Sequence, residues 1–208
     1  MKVKVCGITG FDQMQQLQQM GIDYCGMIFY EGSKRFIAEK LENQKSEIKK
    51  IQIKKVGVFV NAGYQTILNA IEDYGLAAVQ LHGDETDEFC LELMDKVQVI
   101  KVFRISAEEN IDELIEPFQN VCHYFLFDTD TKFYGGSGQQ FNWSVFKNAA
   151  INKPFFLSGG IGLEDTEKLK AFHHPYLYAV DVNSRFETSP GVKDMALLLK
   201  LKQGLKAS

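Results

Sequence analysis

The chain has 208 residues, 45% of them hydrophobic, and a formal net charge of −4. That length supports one well-buried core and is too short for two ordinary domains with a linker. An acidic balance argues against nucleic acid as a partner, because duplex binding needs a basic footprint. No run approaches the ~20 apolar residues of a membrane span, so no membrane partner is expected.

Met1 to Val5 runs straight into a strand pattern, without the apolar stretch of a secretory leader. The four cysteines, Cys6, Cys25, Cys90 and Cys122, show no CxxC spacing, which argues against a zinc knuckle or redox motif. A reduced, cytoplasmic protein with one domain over residues 1–208 is the expectation.

Short apolar runs then alternate with helical periodicity. The runs are Val3 to Ile8, Tyr24 to Phe29, Val56 to Val60, Ala77 to Leu81, Val97 to Phe103, His123 to Asp128, Phe155 to Ser158 and Leu177 to Val182. Most are nearly continuous, as in parallel strands covered on both faces. Between them, Phe11, Met14 and Leu17 mark a first helix, and the charged stretch from Ala38 to Lys50 predicts an exposed one. Tyr64, Ile67, Leu68 and Ile71 follow i, i+3, i+4, i+7 spacing, with Asn61 as the predicted cap. Ile111, Leu114, Ile115 and Phe118 repeat that spacing behind a predicted capping box at Ser106 and Glu109. Pro190, Val192, Met195, Ala196 and Leu199 predict the last helix. Eight βα units in 208 residues leave about 26 each, tight for a (β/α)₈ barrel. An open doubly wound sheet also alternates strand and helix but usually has fewer strands, so the predicted fold is α/β, a single-domain (β/α)₈ TIM barrel.

In such a barrel the reacting groups lie at the C-terminal ends of the strands. Strand 1 ends on Cys6, which as thiolate is a general base and as thiol is a small packing residue. Strand 6 ends on Asp128, either a buried carboxyl able to donate a proton or a cap for its own loop. Arg35 after strand 2 is either a carboxylate clamp or a solvated cation. Gly159 and Gly160 after strand 7, and Asn183 and Ser184 after strand 8, occupy the two loops that commonly bind phosphate through backbone N–H groups. The competing reading of the glycines is a tight strand-to-helix turn. His82 at the end of strand 4 is read as a supporting residue. Cys25, Cys90 and Cys122 are read as packing or loop residues, and Gly135 to Gly138 as a mobile lid rather than a nucleotide loop.

Taken together, Lys4-Val5-Cys6-Gly7-Ile8-Thr9, Ser33-Lys34-Arg35-Phe36, Val79 to Glu85, Asp128-Thr129, Gly135 to Trp143, Leu157 to Ile161, Val180 to Ser184, Glu187 and Pro190 to Asp194 stand in an order and spacing that is highly specific. Over essentially the whole chain they resemble the phosphoribosylanthranilate isomerases. The resemblance implies a (β/α)₈ barrel that performs a cofactor-free, metal-free Amadori rearrangement of N-(5-phosphoribosyl)anthranilate in tryptophan synthesis, as a monomer or homodimer. It implies Cys6 as general base, Asp128 as general acid and Arg35 on the anthranilate carboxylate. It also implies phosphate at the backbone around Gly160 and Ser184, and Asp181 near the substrate's centre. Two departures stand out: Arg185 where the family commonly has glycine, and Glu31-Gly32 in place of a proline-containing approach to Ser33.

Three rival readings lead elsewhere. An indoleglycerol phosphate synthase would want a strand-end lysine as its acid. A histidine-pathway isomerase would want aspartate at position 6. A non-catalytic phosphosugar-binding protein would have no need of Cys6 and Asp128 together.

Overall fold

The computed structural model describes residues 1–105, 110–129, 143–147 and 149–206. Eight parallel strands close into a barrel in sequence order. They are β1 (Lys2–Val5), β2 (Tyr24–Ile28), β3 (Lys54–Phe59), β4 (Ala78–Leu81), β5 (Gln98–Ile105), β6 (Tyr124–Thr129), β7 (Phe155–Leu157) and β8 (Leu177–Val182). All eight predicted runs are strands, and β8 has the predicted bounds. Closure comes from β1 pairing with β8, with Lys4 opposite Asp181 and Val5 opposite Val182.

The strand pleat sorts side chains into two layers. Tyr24, Val56, Ala78, Ile100, Val102, Leu126, Phe156 and Ala179 fill the barrel interior. Their neighbours in sequence face outward, where Val3, Val5, Val79, Val99, Phe125, Phe127, Phe155 and Val180 meet the helices. Burial on both faces explains why the strands read as continuous apolar runs rather than as alternation. Cys25, Cys90 and Cys122 are buried packing residues, as expected.

The helices are α1 (Phe11–Gln19), α2 (Ala38–Leu41), α3 (Lys45–Lys50), α4 (Tyr64–Tyr74), α5 (Asp87–Met94), α6 (Ile111–Ile115), α7 (Thr166–Ala171) and α8 (Met195–Lys206). Three of the predictions need correction. The charged stretch is not one exposed helix but two short helices joined by a 3₁₀ turn at Glu42–Gln44, anchored by the buried Leu41 and Ile48. Asn61 does not cap α4, whose N-cap is Gly63. With φ +51, Asn61 instead accepts a hydrogen bond from the Asp84 N–H at 2.7 Å, which ties the loop after β3 to the loop after β4. Val192 lies not on the last helix but in a small antiparallel hairpin, β9 (Glu187–Ser189) and β10 (Val192–Lys193). The face that α8 buries is Leu198, Leu201 and Leu205, while Leu199 is exposed.

Helix α6 stops at Ile115, and a 3₁₀ turn over Glu116–Phe118 follows. Pro117 supplies no N–H to an α-helical hydrogen bond there. Asn110 caps α6 by accepting from the Asp112 N–H, and the predicted capping-box residues Ser106 and Glu109 lie outside the described residues. Among the described residues no helix is long and apolar enough to cross a membrane.

One buried ion pair holds the loop after β4. The Lys101 ammonium donates to Glu85 Oε2 at 3.0 Å and to the Gly83 carbonyl at 2.9 Å. Glu85 also accepts from the backbone N–H groups of Asn61 and Gly83. Both side chains are nearly fully buried, so removing one partner leaves an uncompensated buried charge. Lys101→Met is therefore expected to lower stability by about 3–5 kcal/mol, read as a lower urea midpoint. An unchanged midpoint would show that the clamp contributes nothing.

Candidate active site

At the C-terminal ends of the strands a cavity of about 270 Å³ opens, which gives room for a phosphosugar-sized ligand. Cys6, Asp128, Gly159, Gly160, Asp181, Asn183 and Ser184 all line it, together with Ile28, Val58, Gln80, His82, Arg104 and Arg185. The structure thus brings seven of the eight predicted site residues to one mouth. Arg35, the eighth, sits beside the cavity over Gly7, where a Cβ would meet its Cδ at 2.6 Å.

Cys6 lies just past β1. Its N–H extends the β1–β8 ladder to the Val182 carbonyl at 2.9 Å, so its side chain points inward in register with Lys4. Gly26 on β2 makes room for it, since a Cβ there would stand 2.9 Å from both the Cα and the Sγ of Cys6. Burial pushes the Cys6 thiol above its ordinary value. Lys4 and Lys193 pull it back down, and Asp181 adds to the upward shift.

Lys4 has no exposed surface and donates to Asp181 Oδ2 at 2.9 Å. Burial opposes its charge, but Asp181 and Cys6 together outweigh burial and hold the lysine above its usual value. Burial likewise raises the Asp181 carboxyl against the pull of Lys4. The second oxygen, Oδ1, is buried and has no hydrogen-bond partner among the described residues. An orphaned acceptor in a cavity wall is costly unless a ligand satisfies it.

On the far side, Asp128 ends β6, with Oδ2 3.5 Å from His82 Nε2. The Gln80 amide contacts His82 Nδ1 at 2.9 Å. His82, read from the sequence as a supporting residue, stands between Asp128 and Gln80 and itself lines the cavity.

Arg35 is not a free cation. Its Nε and Nη2 grip Glu187 at 2.8 and 2.6 Å, and Nη1 has no partner among the described residues. Lys193 donates to the same carboxylate at 2.7 Å and to Asn183 Oδ1 at 2.7 Å. Burial alone would raise Glu187, but the bonds from Arg35 and Lys193 outweigh it and hold the carboxyl at about 2. The β9–β10 hairpin thus fastens Arg35 and Asn183 to one frame. In the sequence Glu187 was only a matching letter and Lys193 was assigned nothing. The contacts that give them a role span up to 152 residues.

Gly159 and Gly160 have φ of +96° and +62°, a region that L side chains rarely adopt. Their backbone is that of a tight turn, and both residues also line the cavity. Ser184 begins the 3₁₀ turn Ser184–Phe186 directly after Asn183. Arg185 turns to pair with Glu164, and both side chains are exposed. Its guanidinium need not replace the backbone contact that a glycine would make. The predicted lid, Gly135 to Gly138, lies outside the described residues.

The family model for N-(5'-phosphoribosyl)anthranilate (PRA) isomerase matches residues 3–204. The N-(5'-phosphoribosyl)anthranilate isomerase of Parabacteroides distasonis is 39% identical over 197 residues, covering 94% of this chain and 89% of that protein. The crystal structure of phosphoribosyl anthranilate isomerase from Thermotoga maritima superposes with a TM-score of 0.84 at 32% identity, covering 100% of this chain and 99% of that one. A phosphoribosyl anthranilate isomerase in complex with reduced 1-(o-carboxyphenylamino)-1-deoxyribulose 5-phosphate gives 0.81 at 30% identity over the same shares. The barrel, the strand-end thiol and carboxyl, and these likenesses agree: the chain belongs to the N-(5'-phosphoribosyl)anthranilate isomerase family.

Proposed function

We propose that this chain carries out the cofactor-free rearrangement of N-(5'-phosphoribosyl)anthranilate to 1-(2-carboxyphenylamino)-1-deoxyribulose 5-phosphate, a step of tryptophan biosynthesis, with Cys6 as base and Asp128 as acid. The observation that carries the assignment is that one thiol and one carboxyl, 122 residues apart in sequence, line the same cavity. Asp128 protonates the furanose ring oxygen, the ring opens, and an iminium forms at C1. That cation acidifies the C2–H. The Cys6 thiolate removes the proton to give an enolamine, which tautomerises to the ketone by taking a proton at C1 and releasing the one on the C2 oxygen.

The remaining groups hold the ends of the substrate. The backbone around Gly160 and Ser184 suits the phosphate, since glycine lets an anion approach the main chain and a turn start presents free N–H groups. The unpartnered Oδ1 of Asp181 suits a sugar hydroxyl at the centre. Asn183, tied to Lys193 through its side chain, fixes the loop that carries Ser184. Arg35 has no partner for Nη1 among the described residues while Glu187 locks its opposite edge, which suits a carboxylate on the anthranilate ring. Fixing both ends of the substrate supplies orientation, and the acid and base supply the proton transfers.

Cys6→Ser and Asp128→Asn are each expected to lower kcat by about 10²–10⁴-fold, with KM changed far less. Fluorescence of phosphoribosylanthranilate as it is consumed reads both constants, and wild-type turnover by either variant would remove that residue from its role. Arg35→Met is expected to raise KM by about 10–100-fold, the loss of a charge-assisted pair. An unchanged KM would refute the clamp.

A further inference from the structure

The mechanism asks a buried thiol to lose its proton inside an apolar barrel, and burial opposes that ionisation. A compensating charge is needed, and the barrel interior holds one. Lys4 precedes Cys6 by two residues on the same strand, so the pleat puts both side chains on the inner face. Its ammonium is fully buried and reaches Asp181 Oδ2 at 2.9 Å. One such bond uses one of three ammonium protons, and Cys6, two residues on along the same inner face, lines the cavity together with Asp181. A fully buried lysine is rare without a task, because its desolvation has to be offset.

We propose that Lys4 is the positioning residue that sustains the Cys6 thiolate, with Asp181 as the counterweight that anchors the lysine and sets how much of its charge the sulfur feels. The inference rests on Cys6 being the base. Three other charged groups lie near the sulfur, and one further thiol sits on the neighbouring strand. Asp181 comes from β8, Lys193 from the hairpin, Arg35 from the loop after β2 and Cys25 from β2. Lys193 and Arg35 spend their charge on Glu187, and Cys25 faces the outer layer. Lys4 is the cation next to the thiol on the inner face of β1, while Lys2, two residues further back, is engaged by the Tyr178 hydroxyl.

The pair makes a prediction in two opposite directions. Removing the ammonium removes what favours the thiolate, while removing the carboxylate charge frees the ammonium for it. The Cys6 titration is read from ultraviolet thiolate absorbance, each variant being compared with the same variant carrying Cys6→Ser. Lys4→Met is expected to raise the midpoint by about one pH unit or more, a roughly tenfold smaller thiolate fraction below it. The acidic limb of kcat/KM is expected to move up with it, so that raising the pH restores part of the lost rate. Asp181→Asn is expected to lower the midpoint. Lys4→Arg keeps the charge and is expected to hold the midpoint near that of the wild type.

An unmoved midpoint in Lys4→Met, or movement of Lys4→Met and Asp181→Asn in the same direction, would overturn the proposal. Should Lys4→Met fail to fold, Asp181→Asn decides alone, and a midpoint that rises or stays put refutes the counterweight. Full turnover by Cys6→Ser alongside the expected shifts would sink the base assignment and leave the electrostatic coupling standing.

Discussion

The pairing of β1 with β8 is the contact on which the rest depends. It closes the barrel, with Lys4 opposite Asp181 and Val5 opposite Val182, and the ladder continues to Cys6. Because the ladder fixes register and the pleat fixes facing, a slip of β1 by one residue would send Lys4 and Cys6 out among the helices, away from Asp181. The same closure brings the β9–β10 hairpin, which follows β8, against the loop that carries Arg35. Residues from the two ends of the chain therefore meet only once the last strand has docked on the first.

Around that seam, loops are held by side chains rather than by regular structure. Glu85 accepts backbone N–H groups from two loops and the Lys101 ammonium. Glu187 does the equivalent at the opposite rim, where it gathers Arg35, Lys193 and the Gly191 N–H. Each is a carboxylate surrounded by donors, an arrangement in which the charge is compensated by fixed partners rather than by water. Rigid rims matter for proton transfer, because an acid or base displaced by an ångström loses most of its advantage.

The mouth also divides its polar groups by depth. Lys4 and Asp181 sit inside the barrel, Cys6 above them, and the half-buried His82 and Asp128 at the lip. The groups proposed as base and acid, Cys6 and Asp128, thus meet different environments on one scaffold.

The sequence by itself determined the barrel, because parallel strands buried on both faces read as apolar runs and their eightfold alternation with helices has few other solutions. It placed Cys6, Asp128, Gly160 and Ser184 at one mouth for a related reason: in such a barrel the strand ends all face the same way. It misplaced Asn61 and the start of the last helix, where a left-handed residue and a two-strand hairpin interrupt local patterns that spacing rules take at face value. Lys4 and Lys101 carried a readable signal, a charge within an apolar strand, but not their partners. Those partners, Asp181 and Glu85, and the Arg35–Glu187 lock, belonged to the tertiary structure. A hydrogen bond between residues up to 177 apart depends on barrel closure and register, which no local periodicity records.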